Sequence, residues 1–392
     1  MLPARFPRRA PSRALPGTLV LGAALGLGGA LAACGHTEPF TPPDAASSSP
    51  FEDTQPTRLT YNVGADLMPA WLPAGGGFFY SYERPGSETA DRCLSRLPAT
   101  GGTQRDVVCP RAAPDTTTIF GEPAVAPDGR LAFLRSRRLV FSKLTGERIL
   151  MLAPARDARA ATVLRTLPIP GPTGRQYTTL ESLRWLDGHR LIAVGGTEQS
   201  VEPEPGAPTV LLPFGLDLLI LDVDAPGSAP QVLPDVANPT SVTPGESADV
   251  IYYTQAADAR VYRRSLADGT TTVAYDFGPA GVARDVHVAG GRLAVTVGGK
   301  IQLFPAAALG AAQLDEAGFL YVADLAGGTA ERVGPALPGL TADLVLYRRP
   351  ALAPSGNTIV AEAAPYRVRA TESGIPDTSR AGGTDLWRLG EP

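Results

Sequence analysis

Three stretches carry one phrase: Pro69-Ala70-Trp71-Leu72-Pro73-Ala74-Gly75, Pro123-Ala124-Val125-Ala126-Pro127-Asp128-Gly129 and Pro350-Ala351-Leu352-Ala353-Pro354-Ser355-Gly356. Each leads into a short apolar run, Phe78–Tyr82, Leu131–Leu134 and Thr358–Ala361. Proline and glycine at these offsets set a turn, and the runs that flank it have the length and side chains of strands. Weaker copies fill the interval: Leu183–Gly188 before Leu191–Val194, Ser241–Gly245 before Val250–Tyr253, and Val286–Gly291 before Leu293–Val297. The phrase centres fall at 71, 125, 185, 242, 287 and 352, a mean step of about 56 residues.

The second half of the unit also recurs. Leu139–Leu144, Leu218–Val223, Val261–Leu266 and Phe319–Leu325 read as further strands, three of them followed by glycine turns. No long helical period is present. Six units of about four strands each predict an all-β chain, a six-bladed β-propeller of four-stranded antiparallel blades. The last unit ends at Asp385–Leu389 with a third strand. The segment Thr57–Tyr61 is predicted to supply the fourth and close the last blade, so that no sheet edge is left bare.

Composition agrees. Gly and Pro together make 82 of 392 residues, about a fifth, which demands many turns. Hydrophobic residues are 44% and charged residues 19%, enough to build a large core. The formal charge of −4 argues against nucleic-acid binding.

The first 33 residues read as an address. Arg5, Arg8, Arg9 and Arg13 precede an apolar, small-residue stretch from Leu15 to Ala33. That is the layout of a secretory signal peptide; an uncleaved membrane anchor is the alternative, since about 19 residues are marginally enough to span. The end, Leu31-Ala32-Ala33-Cys34, resembles the lipobox of bacterial lipoproteins. The resemblance implies lipidation at Cys34 and cleavage before it. It places the chain at a membrane, expected to be the outer membrane, facing the periplasm or the cell surface. Residues 34–57, rich in Pro and Ser, read as a flexible tether, leaving 58–392 as the folded domain. Loss of 1–33 removes four arginines and leaves about −8. Cys93 and Cys109 flank a turn-rich centre at Gly101, and pairing across a hairpin there sets them opposite each other. An export compartment permits a disulfide; two buried free thiols are the alternative.

The phrase Arg58-Leu59-Thr60, Asp66, Pro69, Trp71, Pro73 and Gly75, with the ending Ala126-Pro127-Asp128-Gly129, resembles the repeat of TolB-type, WD-like β-propellers. The pattern covers residues 58–389. It implies a role in scaffolding or envelope integrity.

Little in the sequence points to chemistry. Three histidines, His36, His189 and His287, offer no metal cluster. There is no Gly-x-Ser-x-Gly elbow and no phosphate loop. Asp66, Glu122, Glu181 and Asp285 precede the first strands, near the expected channel mouth. They could ring a cation or a basic peptide, or cap turns. The stretches Glu83–Asp91, Gly195–Gly215, Pro305–Gly318 and Ala363–Thr384, with Ala153–Thr179, read as long loops of one face. The expectation is a monomeric, non-catalytic scaffold without cofactor or metal, binding an envelope protein or peptide through that face. The alternative is an enzyme acting on envelope or extracellular glycans, a lyase or hydrolase with titratable groups in the channel.

Overall fold

The computed structural model describes residues 56–390, apart from 86–89, 112, 140–145, 155–156, 202–209, 279–280, 300–317, 334–343, 370–376 and 381–382. Each described residue belongs to the unit Thr37–Pro392. The leader 1–33, Cys34, most of the tether and most of the loop Pro305–Gly318 lie outside the described residues.

The described chain is almost wholly β. Its first sheet has eight strands in two antiparallel halves: Asp66–Trp71, Gly77–Glu83, Arg92–Pro98 and Arg105–Val108, then Thr116–Val125, Leu131–Leu139, Glu147–Ala153 and Thr162–Leu167. One parallel bridge, Arg92 to Ile119, joins the halves. Three four-stranded antiparallel sheets follow, led by Thr179–Trp185, Pro239–Pro244 and Gly281–Ala289. The last sheet is led by Leu344–Leu352 and continues through Thr358–Arg369 and Asp385–Gly390. Thr57–Arg58 pairs antiparallel with Asp385–Gly390, Thr57 opposite Arg388 and Arg58 opposite Trp387. The amino-terminal strand therefore covers the edge of the last sheet, as the strand count predicts.

Each recurring phrase is a leading strand, a tight turn and the start of the next strand. In the first, Gly75 N–H donates to Leu72 O and Leu72 N–H to Gly77 O; in the last, Gly356 N–H donates to Ala353 O and Ala353 N–H to Thr358 O. Gly290 and Gly356 bring two of these turns together. A Cβ on Gly290 would lie 2.3 Å from the Gly356 nitrogen, and φ at Gly290 is +56°. Only glycine fits there without moving backbone.

The second strands are buried on both faces, so they read as continuous apolar runs rather than alternating ones. Phe78, Phe79 and Tyr80 are each at most 1% exposed. Phe79, Leu94, Phe120 and Phe133 fill the seam between the two halves of the first sheet. Leu134, Leu150, Trp185 and Leu219 fill the next seam. Trp71, Phe78, Ala351, Val360 and Leu386 join the first sheet to the last, with Leu59 from the closing segment. Burying a side chain of the size of Phe133 contributes roughly 1.5–3 kcal/mol.

Three of the stretches read as long loops hold strands. Glu147–Ala153 is the third strand of its unit, and the fourth is Thr162–Leu167, after a 3-10 turn at Ala158–Ala160 capped by Asp157. The interval Ala153–Thr179 thus holds strands rather than a long loop. Likewise Arg190–Val201 and Val210–Asp222 run on as one hairpin, with Val201 opposite Val210, through most of the stretch read as the loop Gly195–Gly215. Asp377–Arg380 pairs with Thr358–Arg369 inside the stretch Ala363–Thr384. Turn-forming Gly and Pro residues in these stretches masked strands that pair outside the regular blade length.

Candidate functional site

The leading strands share a defect. Each breaks register with its partner just before the phrase, between Leu67 and Ala70, Gly121 and Ala124, Glu181 and Arg184, Pro239 and Ser241, Ala283 and Val286, and Arg348 and Ala351. A bulge of this kind re-aims the side chain it carries. Four bulge residues are non-glycine with left-handed backbone: Met68 (φ +60°), Glu122 (+50°), Ser182 (+53°) and Arg349 (+45°). Each costs on the order of 1–3 kcal/mol and is kept only where its surroundings enforce it. Met68, Glu122, Ser182, Thr240, Asp285 and Arg349 all line one cavity of about 300 Å3. The repeat thus delivers the bulge of each leading strand to a common space.

The cavity is strongly charged. Glu122, Glu181 and Asp285 line it together with Arg184, Arg284, Arg348 and Arg349. Arg349 is held from two sides: its Nη1 pairs with Glu122 Oε1, and its backbone N–H donates to Asp285 Oδ2 at 2.8 Å. Behind the lining, Glu362 is 1% exposed and accepts from Met68 N–H through Oε1 (2.8 Å), while its other oxygen lies 4.0 Å from Arg348 Nε. Burial pushes the Glu362 carboxyl above the usual carboxylate range. Burial alone would weaken the Arg349 charge, but Glu122, Glu362, Asp285 and Glu181 reverse this and hold the guanidinium firmly protonated. Arg184 goes the other way, lowered first by burial and also by the like charge of Arg349.

Of the four acids singled out in the sequence, Glu122, Glu181 and Asp285 line this cavity and Asp66 does not. Asp66 is fully buried, two residues before its bulge, where it accepts from Asn62 Nδ2 at 2.6 Å. Burial raises its pKa to about 7. It belongs to a polar network of Asn62, Gln104, Tyr80, Ser95 and Asp106. Beside that network Cys93 and Cys109 form a disulfide. The arginines of the cavity and Glu362 escaped the sequence reading. The position just before each phrase was their signal for Arg349, and arginine in an apolar strand was the signal for Arg184.

The Arg349 guanidinium pairs with Glu122, and its backbone N–H occupies one oxygen of Asp285. Among the described residues, the three-donor set close enough to share one ion is Cys93, Asp106 and Cys109, and its sulfurs are bonded to each other.

No protein-family model matches the chain, and no curated protein matches it. Solved structures do. A gluconolactonase from Xanthomonas campestris is 16% identical, with 91% of this chain and 98% of that one covered and a TM-score of 0.55. Regucalcin from Agrobacterium tumefaciens, described as a calcium-binding protein, is 15% identical over 85% of this chain and 92% of that one, TM-score 0.48. TolB from Acinetobacter baumannii is 12% identical over 84% of this chain and 64% of that one, TM-score 0.43. The chain is an all-β protein of the β-propeller class, and its resemblance to TolB-type propellers is one of fold.

The expectation of a non-catalytic scaffold is corrected here. A gluconolactonase stands among the similar propellers, and the channel cavity holds the dense set of titratable groups that a pocket enzyme requires.

Proposed function

We propose that this chain is a propeller-pocket hydrolase, with six blades closed by the amino-terminal strand, acting at the cell envelope on a sugar-derived ester or lactone that carries an anionic group. The observation that carries the reading is the convergence of three carboxylates and four guanidiniums on one cavity of about 300 Å3. Four cations against three lining acids favour an anionic substrate. The gluconolactonase among the similar folds supports a lactone as the substrate class.

Roles follow from placement. Glu181 acts as general base and takes a proton from water as the water oxygen bonds to the acyl carbon. Arg349, pinned by Glu122 and Asp285, faces the oxyanion that forms as the carbonyl bond opens. The acyl–oxygen bond then breaks, the leaving alkoxide takes the proton from Glu181, and the acid product is released. Arg284 and Arg348 hold the substrate's anionic group. The lipid at Cys34 and the tether keep this site at the membrane, where envelope glycans supply such substrates. The test is mass-spectrometric detection of water addition across a panel of sugar lactones and acylated sugar acids incubated with the purified full chain. At least one lactone gains one water, or one ester splits into its acid and its alcohol, in an enzyme-dependent manner; a panel left wholly intact counts against the reading.

A further inference from the structure

A second cavity, of about 280 Å3, lies on the phrase side of the first and shares Pro69, Pro123 and Arg184 with it as lining. Its character is different. Besides Arg184 and His287, its lining is proline, alanine, valine and leucine with the rings of Trp71 and Trp185 and the Thr243 hydroxyl, which donates to Pro244 O, and contains no carboxylate among the described residues. Both indole N–H groups are already used, Trp71 Nε1 donating to Ala351 O at 2.7 Å and Trp185 Nε1 to Ala124 O at 3.0 Å.

Two lining groups retain donor capacity. Arg184 donates from Nη1 to its own neighbour's carbonyl, Leu183 O, at 2.8 Å, and its Nε is buried with no hydrogen-bond partner. His287 accepts from Leu352 N–H at Nδ1, 3.2 Å. An acceptor Nδ1 on a neutral ring places the proton on Nε2, which is then a donor. Burial and the Arg184 charge keep that ring neutral, with a pKa lowered to about 3. A cavity with apolar walls, one guanidinium and one neutral N–H donor is complementary to a single anionic group on an apolar body. A buried guanidinium short of partners is costly, and a ligand carboxylate would offset that cost.

We infer that this second cavity binds a small carboxylate with an apolar body, its carboxylate on Arg184 and His287 and its chain against Trp71 and Trp185. The site adjoins the proposed catalytic one and shares Arg184 with it, but its ligand is read by binding alone, so its failure is distinguishable from a failure of the hydrolase reading. A volume of about 280 Å3 is at the small end of ligand cavities, which limits the ligand to a short chain or a single ring.

Calorimetric titration of the full chain with hexanoate, hexan-1-ol and hexylamine tests it. Hexanoate should bind saturably, and at least tenfold more tightly than the alcohol or the amine. Arg184→Gln should weaken hexanoate binding tenfold or more and abolish the preference over hexan-1-ol. If Arg184→Gln fails to fold, Ala289→Leu, which fills the same cavity without touching the guanidinium, should abolish hexanoate binding. Absence of hexanoate binding, equal affinity for the alcohol, or unchanged binding in both variants would overturn the inference.

Discussion

Glu122 and Arg349 stand 227 residues apart in the chain and meet as an ion pair across the channel cavity. The Glu122 side chain is 7% exposed and that of Arg349 22%. Removing one partner of such a pair strands the other's charge, whereas removing both does not. Glu122→Gln should therefore cost on the order of 2–3 kcal/mol in denaturant unfolding. The double variant Glu122→Gln with Arg349→Gln should cost clearly less than the two single changes added together. Strict additivity would mean that the pair is not formed.

Closure of the last sheet rests on a short segment. Arg58 reaches Asp385 at 2.7 Å, Leu59 N–H donates to Leu386 O at 2.8 Å, and Leu386 N–H donates to Thr60 Oγ1 at 2.9 Å. Deleting residues 57–62 removes these bonds and the buried Leu59 side chain, and bares a sheet edge. The melting temperature should fall by several degrees or more, read by circular dichroism, and aggregation on heating should increase. An unchanged melting temperature contradicts the closure.

Asp66 sets a pH dependence. Its pKa in the folded chain is raised to about 7, chiefly by burial, from an ordinary 3.8. The folded state therefore holds this proton more tightly than the unfolded chain does. The stability it confers is fully present below about pH 3.8 and is lost as pH rises through about 7. Asp66→Asn keeps an acceptor for Asn62 and removes the titration. Its stability relative to the parent should rise between pH 4 and pH 7, by on the order of 3 kcal/mol, and then level off. A difference that stays flat over that interval would show that Asp66 ionises normally.

The Cys93–Cys109 disulfide closes a hairpin with a sequence separation of 16. A loop of that length loses on the order of 3 kcal/mol of stabilisation when opened. Reduction, or Cys93→Ala with Cys109→Ala, should lower the unfolding free energy by about that amount. Because Asp106 accepts from Ser95 and Gln104 within the hairpin and from Tyr82 on the adjacent strand, protection of the hairpin's backbone amides from hydrogen exchange should fall first.

Most of the architecture was legible because turn chemistry repeats: Pro73-Ala74-Gly75 and Pro354-Ser355-Gly356 mark equivalent turns a whole domain apart. Cross-strand placement made the disulfide legible as well. The extended hairpin ending at Val201 and Val210 was not, because its pairing leaves the repeat length. The site was half legible. Glu122, Glu181 and Asp285 line one cavity, whereas Asp66 lies three residues before Pro69, two before the Met68 bulge, and turns elsewhere. A bulge reverses which face a neighbour takes, and that reversal is written in backbone torsion rather than residue type. Arg184, Arg348 and Arg349 sit in leading strands where apolar residues dominate, and no motif around them marks a site.

The central claim is that the charged cavity performs hydrolysis. The most direct measurement is kcat/KM for a sugar lactone, followed by proton release, in the parent chain and in Glu181→Gln with its fold checked by circular dichroism. Loss of the general base should lower kcat by about 100-fold or more with little change in KM. Turnover that survives Glu181→Gln undiminished, or a parent chain that releases no protons above the uncatalysed rate, contradicts the account.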